Sequence, residues 1–274
     1  MGFSLYVFSI GVMSNSSLNL KFQFDAGPNI PPPHYYQYSL QLKPTAEGLA
    51  VDYSVQYLHR EDLTEEEIYG EGFTLNDDWS VQEVLPEVWQ RALEQQLAQY
   101  PLNFRSGPDK ELTSSLKVAQ ADKTAYSGEV GNQEAWTYFL QELIQAVLEV
   151  NGQEMPFQLE YLEVENKDIH RRIEVEASFA HRSVKVISQK ANKPERSKTI
   201  EWNTLPRIMQ HVFAPDYNYD TALSEMPKRS GTYINTGEGL WFEWGKSLTE
   251  PKGESTSLLR LKSMLKQLGA KEDE

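Results

Sequence analysis

Few side chains in this sequence stand at spacings that support chemistry. The clearest pair is Glu174 and Glu176 in RRIEVEAS (171–178). On a β-strand that spacing puts both carboxylates on one face, and paired carboxylates serve as general acid and base. Ile173, Val175, Ala177 and Phe179 take the opposite face, so the same pattern also reads as the water side of an amphipathic strand. The acidic run REDLTEEEIYGEGF (60–73) gathers Asp62, Glu65, Glu66, Glu67 and Glu71, oxygen ligands suited to a hard cation. Their order departs from an EF-hand loop. Thr64 with Glu67 fits a capping box instead, which makes the run a solvated, capped turn.

The remaining chemistry thins out quickly. His34, His59, His170, His181 and His211 include no pair at i, i+4 and no HExxH. SGEVGNQEAW (127–136) places small residues before a helix N-terminus, where anions are favoured. It lacks the P-loop lysine and the G-x-G-x-x-G spacing. No G-x-S-x-G elbow occurs. The chain has no cysteine, which removes disulfides, thiolate nucleophiles and Cys-ligated metals. No catalytic residue, no metal and no cofactor is therefore assigned.

Two sets of residues remain as binding candidates. One is aromatic: Tyr36, Tyr38, Tyr233, Trp241 and Trp244 would line a cleft between two halves of the chain and take a small ligand. Trp241 and Trp244 point to opposite faces of a regular strand. The other set is cationic. Acids outnumber the two arginines between Glu47 and Glu94, and the balance reverses between Lys167 and Lys198. Arg171, Arg172, Arg182 and Lys185 are the expected contacts to a protein partner or to a second copy. Formal net charge is −14, and the basic stretch lacks interleaved aromatics, so no nucleic-acid partner is expected. An anionic membrane surface is equally disfavoured.

The elements that must hold these residues are read from periodicity. GPNIPPPHYYQYSLQL (27–42) begins with a stiff triple proline, Pro31–Pro33. That segment is either a recognition surface for an aromatic groove or the lead-in to a strand. The alternation of Tyr36, Tyr38, Leu40 and Leu42 favours the strand. Lys43–Gly48 is turn material, and Leu49 to Tyr57 alternates in the same way, which predicts an antiparallel hairpin. A short strand is expected over Lys21–Phe24, a third over Ile68–Leu75, and another near Leu116–Ala119. Helical spacing marks LPEVWQRALEQQLAQY, with Pro86 suited to a first turn and Pro101 as its stop, and Gln133–Val150.

The pattern then recurs. Four strands are read in FQLEYLEVEN, RRIEVEASF, RSVKVISQ and KTIEWN. A helix opens at LPRIMQHVF, a hairpin follows in GTYINTGEGLWFEWGKS, and a last helix runs from about Glu254 to Leu268. Leu85–Gln90 and Leu205–Gln210 share a Leu-Pro-x-β-branched-large-Gln pattern at an offset of 120. The apolar stripes Leu140, Leu143, Ile144, Val147 and Leu261, Met264, Leu265, Leu268 match at an offset of 121.

The expected fold is α+β: antiparallel sheets with helices packed on one face, in a diverged tandem duplication of a βββ-α-β-α-like unit. The expected divisions are an N-terminal lead-in over 1–19, a first half over 20–151, a second over 152–269 and a polar tail over 270–274. In MGFSLYVFSIGVMSNSS the first twelve residues are read first as preceding a natural start at Met13, and the run otherwise as an N-terminal strand or an export signal. The functional expectation is a non-enzymatic, cytoplasmic binding or adaptor protein. The alternatives are a small-ligand binder and a carboxylate- or metal-dependent enzyme.

Overall fold

The computed structural model describes residues 18–27, 29–102, 115–120, 127–130 and 132–270. The run 1–17 with Met13, the loop Arg105–Lys110 and residues 271–274 lie outside the described residues. Two compact units are present, residues 1–148 and 149–274.

Unit 1 contains β1 (Leu20–Asp25), β2 (Tyr36–Pro44), β3 (Leu49–Tyr57), α1 (Glu65–Gly70), β4 (Trp79–Leu85), α2 (Glu87–Gln99), β5 (Ser115–Gln120), β6 (Ser127–Glu129) and α3 (Gln133–Val150). Its six strands form one antiparallel sheet in the order β4-β3-β2-β1-β5-β6. Unit 2 contains β7 (Phe157–Glu165), β8 (Asp168–Ser178), β9 (Ser183–Lys190), β10 (Arg196–Ile200), α4 (Leu205–Val212), β11 (Asp216–Tyr217), β12 (Gly231–Asn235), β13 (Phe242–Glu243), β14 (Leu248–Thr249) and α5 (Ser257–Leu268). Its main sheet runs β10-β9-β8-β7-β12-β13, and β11 pairs with β14.

The two sheets have one connectivity. Four strands meander outward from a central first strand. A helix crosses back, a strand pairs on the other flank of that first strand, one more strand extends the sheet, and a helix closes the unit. The α+β reading with antiparallel sheets holds. Each unit carries more strands than the expected βββ-α-β-α, because β4, β6, β10 and β13 complete the flanks.

The expected third strand at Ile68–Leu75 is replaced by α1 and the turns after it. Local chemistry decides this. Thr64 Oγ1 accepts from the Glu67 amide at 3.3 Å, and the Glu67 carboxylate accepts from the Thr64 amide at 2.8 Å. Such a cap contributes about 1 kcal/mol, and Glu65, Glu66 and Glu67 in the first turn suit the helix dipole. The scattered apolar residues Ile68, Tyr69, Phe73 and Leu75 do not outweigh that.

In each sheet one face is buried under helices, because the strand alternation puts the apolar residues there. In unit 1, Phe22, Leu40, Leu42, Leu49 and Leu85 are inaccessible to solvent, as are Trp89 of α2 and Trp136 of α3. Trp136 stacks on Phe22 with centroids 5.1 Å apart, and its indole N–H donates to the Tyr100 carbonyl at 3.1 Å. A large ring is thus buried without an orphaned donor. In unit 2, Leu205, Ile208 and Val212 of α4 and Leu261, Met264 and Leu265 of α5 cover Leu159, Tyr161, Val175 and Val186. The β2–β3 turn needs Gly48: its φ is +143°, and a Cβ there would stand 2.1 Å from the Leu85 carbonyl oxygen.

The units differ most between their third and fourth strands. That connection runs over residues 58–78 in unit 1 and over residues 191–195 in unit 2. The longer connection carries α1, so the offset near 120 shared by the helices does not extend to the three strands that precede it.

Candidate functional site

The triple proline is a structural lead-in whose last carbonyl is claimed by Arg60. The guanidinium donates from Nε and Nη2 to the Pro33 carbonyl at 3.2 and 3.1 Å, and from Nη1 to the Thr74 carbonyl at 3.1 Å. It pairs with Asp77 at 2.6 Å and lies over the rings of Tyr57 and Phe73, at 4.1 and 4.6 Å. One side chain, 11% exposed, therefore ties the proline loop to both ends of the long connection. Hydrogen bonds from Thr74 and Arg60 and the Arg60 charge outweigh burial and hold Asp77 below the usual carboxylate range.

Tyr36 and Tyr38 lie on the helix-side face of the first sheet. Phe24 stacks on Tyr38 at 5.0 Å, and Tyr53 and Tyr57 extend the aromatic row. The Tyr38 hydroxyl is buried without a hydrogen-bond partner. Burial, with its tyrosine neighbours, raises this phenol far above its ordinary value.

The opposite face of this sheet is open and polar. Cross-strand register aligns Ser80, Ser54, Ser39, Gln23 and Lys117 in one row, and Gln56, Gln37 and Asp25 in the next. A trough of about 270 Å³ lies over these residues. Asp25 is engaged by the Gly27 amide at 2.8 Å, and Asp52 by Gln82 at 2.8 Å. Lys21, Lys43 and Lys117 share the face and form no ion pair among the described residues.

The second sheet carries a trough on its own open face, across the topologically equivalent strands. It measures about 350 Å³ and is lined by Gln158, Glu160, Glu174, Glu176, Lys185, Ile187 and Asn235. Glu160 and Glu174 are direct cross-strand partners, as are Glu176 and Lys185. Arg172 Nε bridges Glu160 at 2.6 Å and Glu174 at 2.8 Å. One cation thus serves two carboxylates, while Glu176 and Lys185 stand exposed. Burial raises the Glu160 pKa against the opposing pull of Arg172, and the Glu174 charge adds to the rise.

A group whose folded pKa is raised is ionised at a cost once pH exceeds that value, and the cost is relieved as pH falls through it. Glu160→Gln is therefore expected to leave thermal stability at neutral pH unchanged or slightly higher, within about 1 kcal/mol. A loss above about 2 kcal/mol in a denaturant melt would show that Glu160 is a structural anchor.

The structure distributes the predicted residues over several surfaces. Arg171 points to the helix side of the second sheet, where Glu163 meets it at 3.1 Å. Arg172 and Lys185 belong to the open face. Arg182 sits in the β8–β9 turn at φ +48°, its guanidinium 5.7 Å from the Trp202 ring. These four cations do not form one surface. Tyr233 and Trp241 pack with Leu162 and Val164, while Trp244 packs against the helix-side cluster, so the two tryptophans do take opposite faces. Glu174 and Glu176 share the solvent side of β8, opposite buried Ile173, Val175 and Ala177. Glu160 was not singled out from the sequence. Its alternation with Leu159 and Tyr161 was visible, but its pairing with Glu174 depends on β7–β8 register.

Protein-family models, curated proteins and solved structures contain no match to this chain. Among the described residues, no group of three or more His, Asp or Glu side chains could hold a metal ion. Among them, too, no helix is long and apolar enough to cross a membrane.

Proposed function

We propose that this chain is a non-enzymatic binding or adaptor protein of the cytoplasm, and that it docks a basic polypeptide segment on the open face of its second sheet. One observation carries the reading. Glu160, Glu174 and Glu176 share one trough with two cations, Arg172, which bridges the first two, and Lys185, the cross-strand partner of the third. Three carboxylates face two cations there, so a cationic side chain entering the trough would balance its charge. Strand backbone and small polar neighbours give a flat floor on which an extended peptide can lie. The shared connectivity of the two sheets supports reading the units as diverged copies, of which the second has acquired the acidic trough.

The test is a calorimetric titration of the full chain with an extended Lys/Arg-rich peptide, repeated with a Glu-rich peptide of equal length. Binding of the basic peptide alone is expected. It should weaken at least about tenfold in Glu174→Lys/Glu176→Lys, as like-charge contacts predict. Equal affinity in the variant would remove the open face from the account.

A further inference from the structure

A sheet ends in edge strands, whose outward backbone groups invite a further strand. Among the described residues, most edges of the two six-stranded sheets are blunted. β6 has three residues and β13 two, and β10 carries Arg196 and Lys198. β4 is different. Its seven residues, Trp79–Leu85, include no lysine, arginine or proline, and Val84 is 45% exposed. The hydrogen bonds around β4 decide which of its backbone groups are free. The Tyr35 carbonyl accepts from the Leu58 amide at 2.9 Å, so the even-numbered residues of β3 face β2. The odd-numbered ones face β4, and the Tyr57 amide accordingly donates to Asp78 at 2.8 Å. Val55, Tyr53 and Val51 therefore exchange backbone bonds with Trp79, Val81 and Glu83, their partners in register. Ser80, Gln82 and Val84, all exposed, are left with N–H and C=O pointing outward. Among the described residues nothing pairs with those groups.

We infer that β4 is a self-association edge, on which a second copy of this chain lays its own β4 antiparallel about a two-fold axis through Gln82. The strand is complementary to itself in that register. Gln82 meets its counterpart, and Ser80 of each copy meets Val84 of the other. Each such pair exchanges two backbone bonds, so every outward N–H and C=O is satisfied. On the other face of the strand Trp79 comes opposite Leu85. Glu83, the one charged residue of β4, comes opposite Val81, so no like charges stand directly across. The contact also closes on itself. Two-fold pairing uses up both β4 edges, and the remaining described edges are short or cationic, so assembly stops at two copies. The acidic trough takes no part, and the inference stands independently of the docking proposal. A single strand pair buries little area, so the dimer is weak. Its bonds join neutral groups, while each copy carries a net charge of −14. Salt that screens this repulsion strengthens the dimer rather than breaking it.

Sedimentation equilibrium of the full chain, with amide hydrogen exchange at low and high protein concentration, tests this. The parent is expected to dimerise below about 1 mM, and more tightly as salt is added. On dimerisation the amides of Ser80, Gln82 and Val84 should gain protection, while those of Val81 and Glu83, already bonded to β3, should not change. Gln82→Pro removes an outward N–H and no bond to β3, a place where an edge strand accepts proline. It should weaken the dimer at least about tenfold. Retained protection at Val81 and Glu83 shows that this variant is folded; if it is not, the alternating protection in the parent decides alone. Gln82→Ala keeps the N–H and should dimerise like the parent. A parent that stays monomeric at about 1 mM, a dimer without alternating protection along β4, or a folded Gln82→Pro that associates as tightly as the parent overturns the inference. So does an equal loss in Gln82→Ala, which would assign the contact to the side chain.

Discussion

Arg60→Ala is expected to cost about 3–5 kcal/mol of folding stability, the range for removing one partner of a largely buried ion pair. Asp77 would be left 23% exposed without its counter-ion. The Pro33 and Thr74 carbonyls would lose their donors, and the Tyr57 and Phe73 rings would lose the guanidinium stacked on them. The loss reaches the proline loop and the 58–78 connection together. Arg60→Lys should recover only part of it, since an ammonium cannot serve two carbonyls and a carboxylate in one plane while stacking on rings. Denaturant melts of the three proteins measure this directly. A cost below about 1 kcal/mol for the alanine variant would mean that the connection is held by its other contacts.

Glu163→Gln is the second large effect, expected at about 3 kcal/mol. Glu163 accepts from Tyr161 at 2.7 Å, pairs with Lys266 of α5 at 2.8 Å and faces Arg171 of β8 at 3.1 Å. Its side chain is 14% exposed. The Arg171 Nε–H is buried and misaligned for a hydrogen bond, so the ion pair is what compensates its burial. Removing the Glu163 charge strands Arg171 and loosens α5 from the sheet.

Burial acts to raise the Glu163 pKa, but the Lys266 and Tyr161 hydrogen bonds and the charges of Lys266 and Arg171 outweigh it and hold the pKa below 4.5. A depressed carboxylate contributes stability above its unfolded pKa and loses it as pH falls through the folded value. The stability gap between parent and Glu163→Gln should therefore be largest at neutral pH and shrink below pH 4.5. A gap independent of pH would assign the loss to packing.

Much of the architecture was legible because local signals agreed with tertiary burial. The 3.6-residue stripe of Trp136, Phe139, Leu140 and Leu143 marks α3 over its full length, and period-two alternation marks β2 and β3. The expected strand at Ile68–Leu75 failed because the capping box of Thr64 and Glu67 starts a helix that takes in Ile68 and Tyr69. The candidate site was less legible for a different reason. Glu174 and Glu176 share a face by local spacing alone, but Glu160 joins them through strand register, a non-local quantity. Arg171 and Arg172 are adjacent in sequence and therefore point to opposite sides of β8, so a charge run along the chain did not describe a surface. Arg60 drew attention only as one of two arginines in an acidic stretch. Its role depends on the chain returning to Pro33.

The most direct test of the docking face is an amide chemical-shift map of the full chain during titration with the Lys/Arg-rich peptide. Shifts are expected to cluster at Gln158–Glu160, Glu174–Glu176 and Lys185–Ile187, the residues around the acidic trough. Shifts confined to the helix-side tyrosines of the first sheet, or none at saturating peptide, would contradict the account.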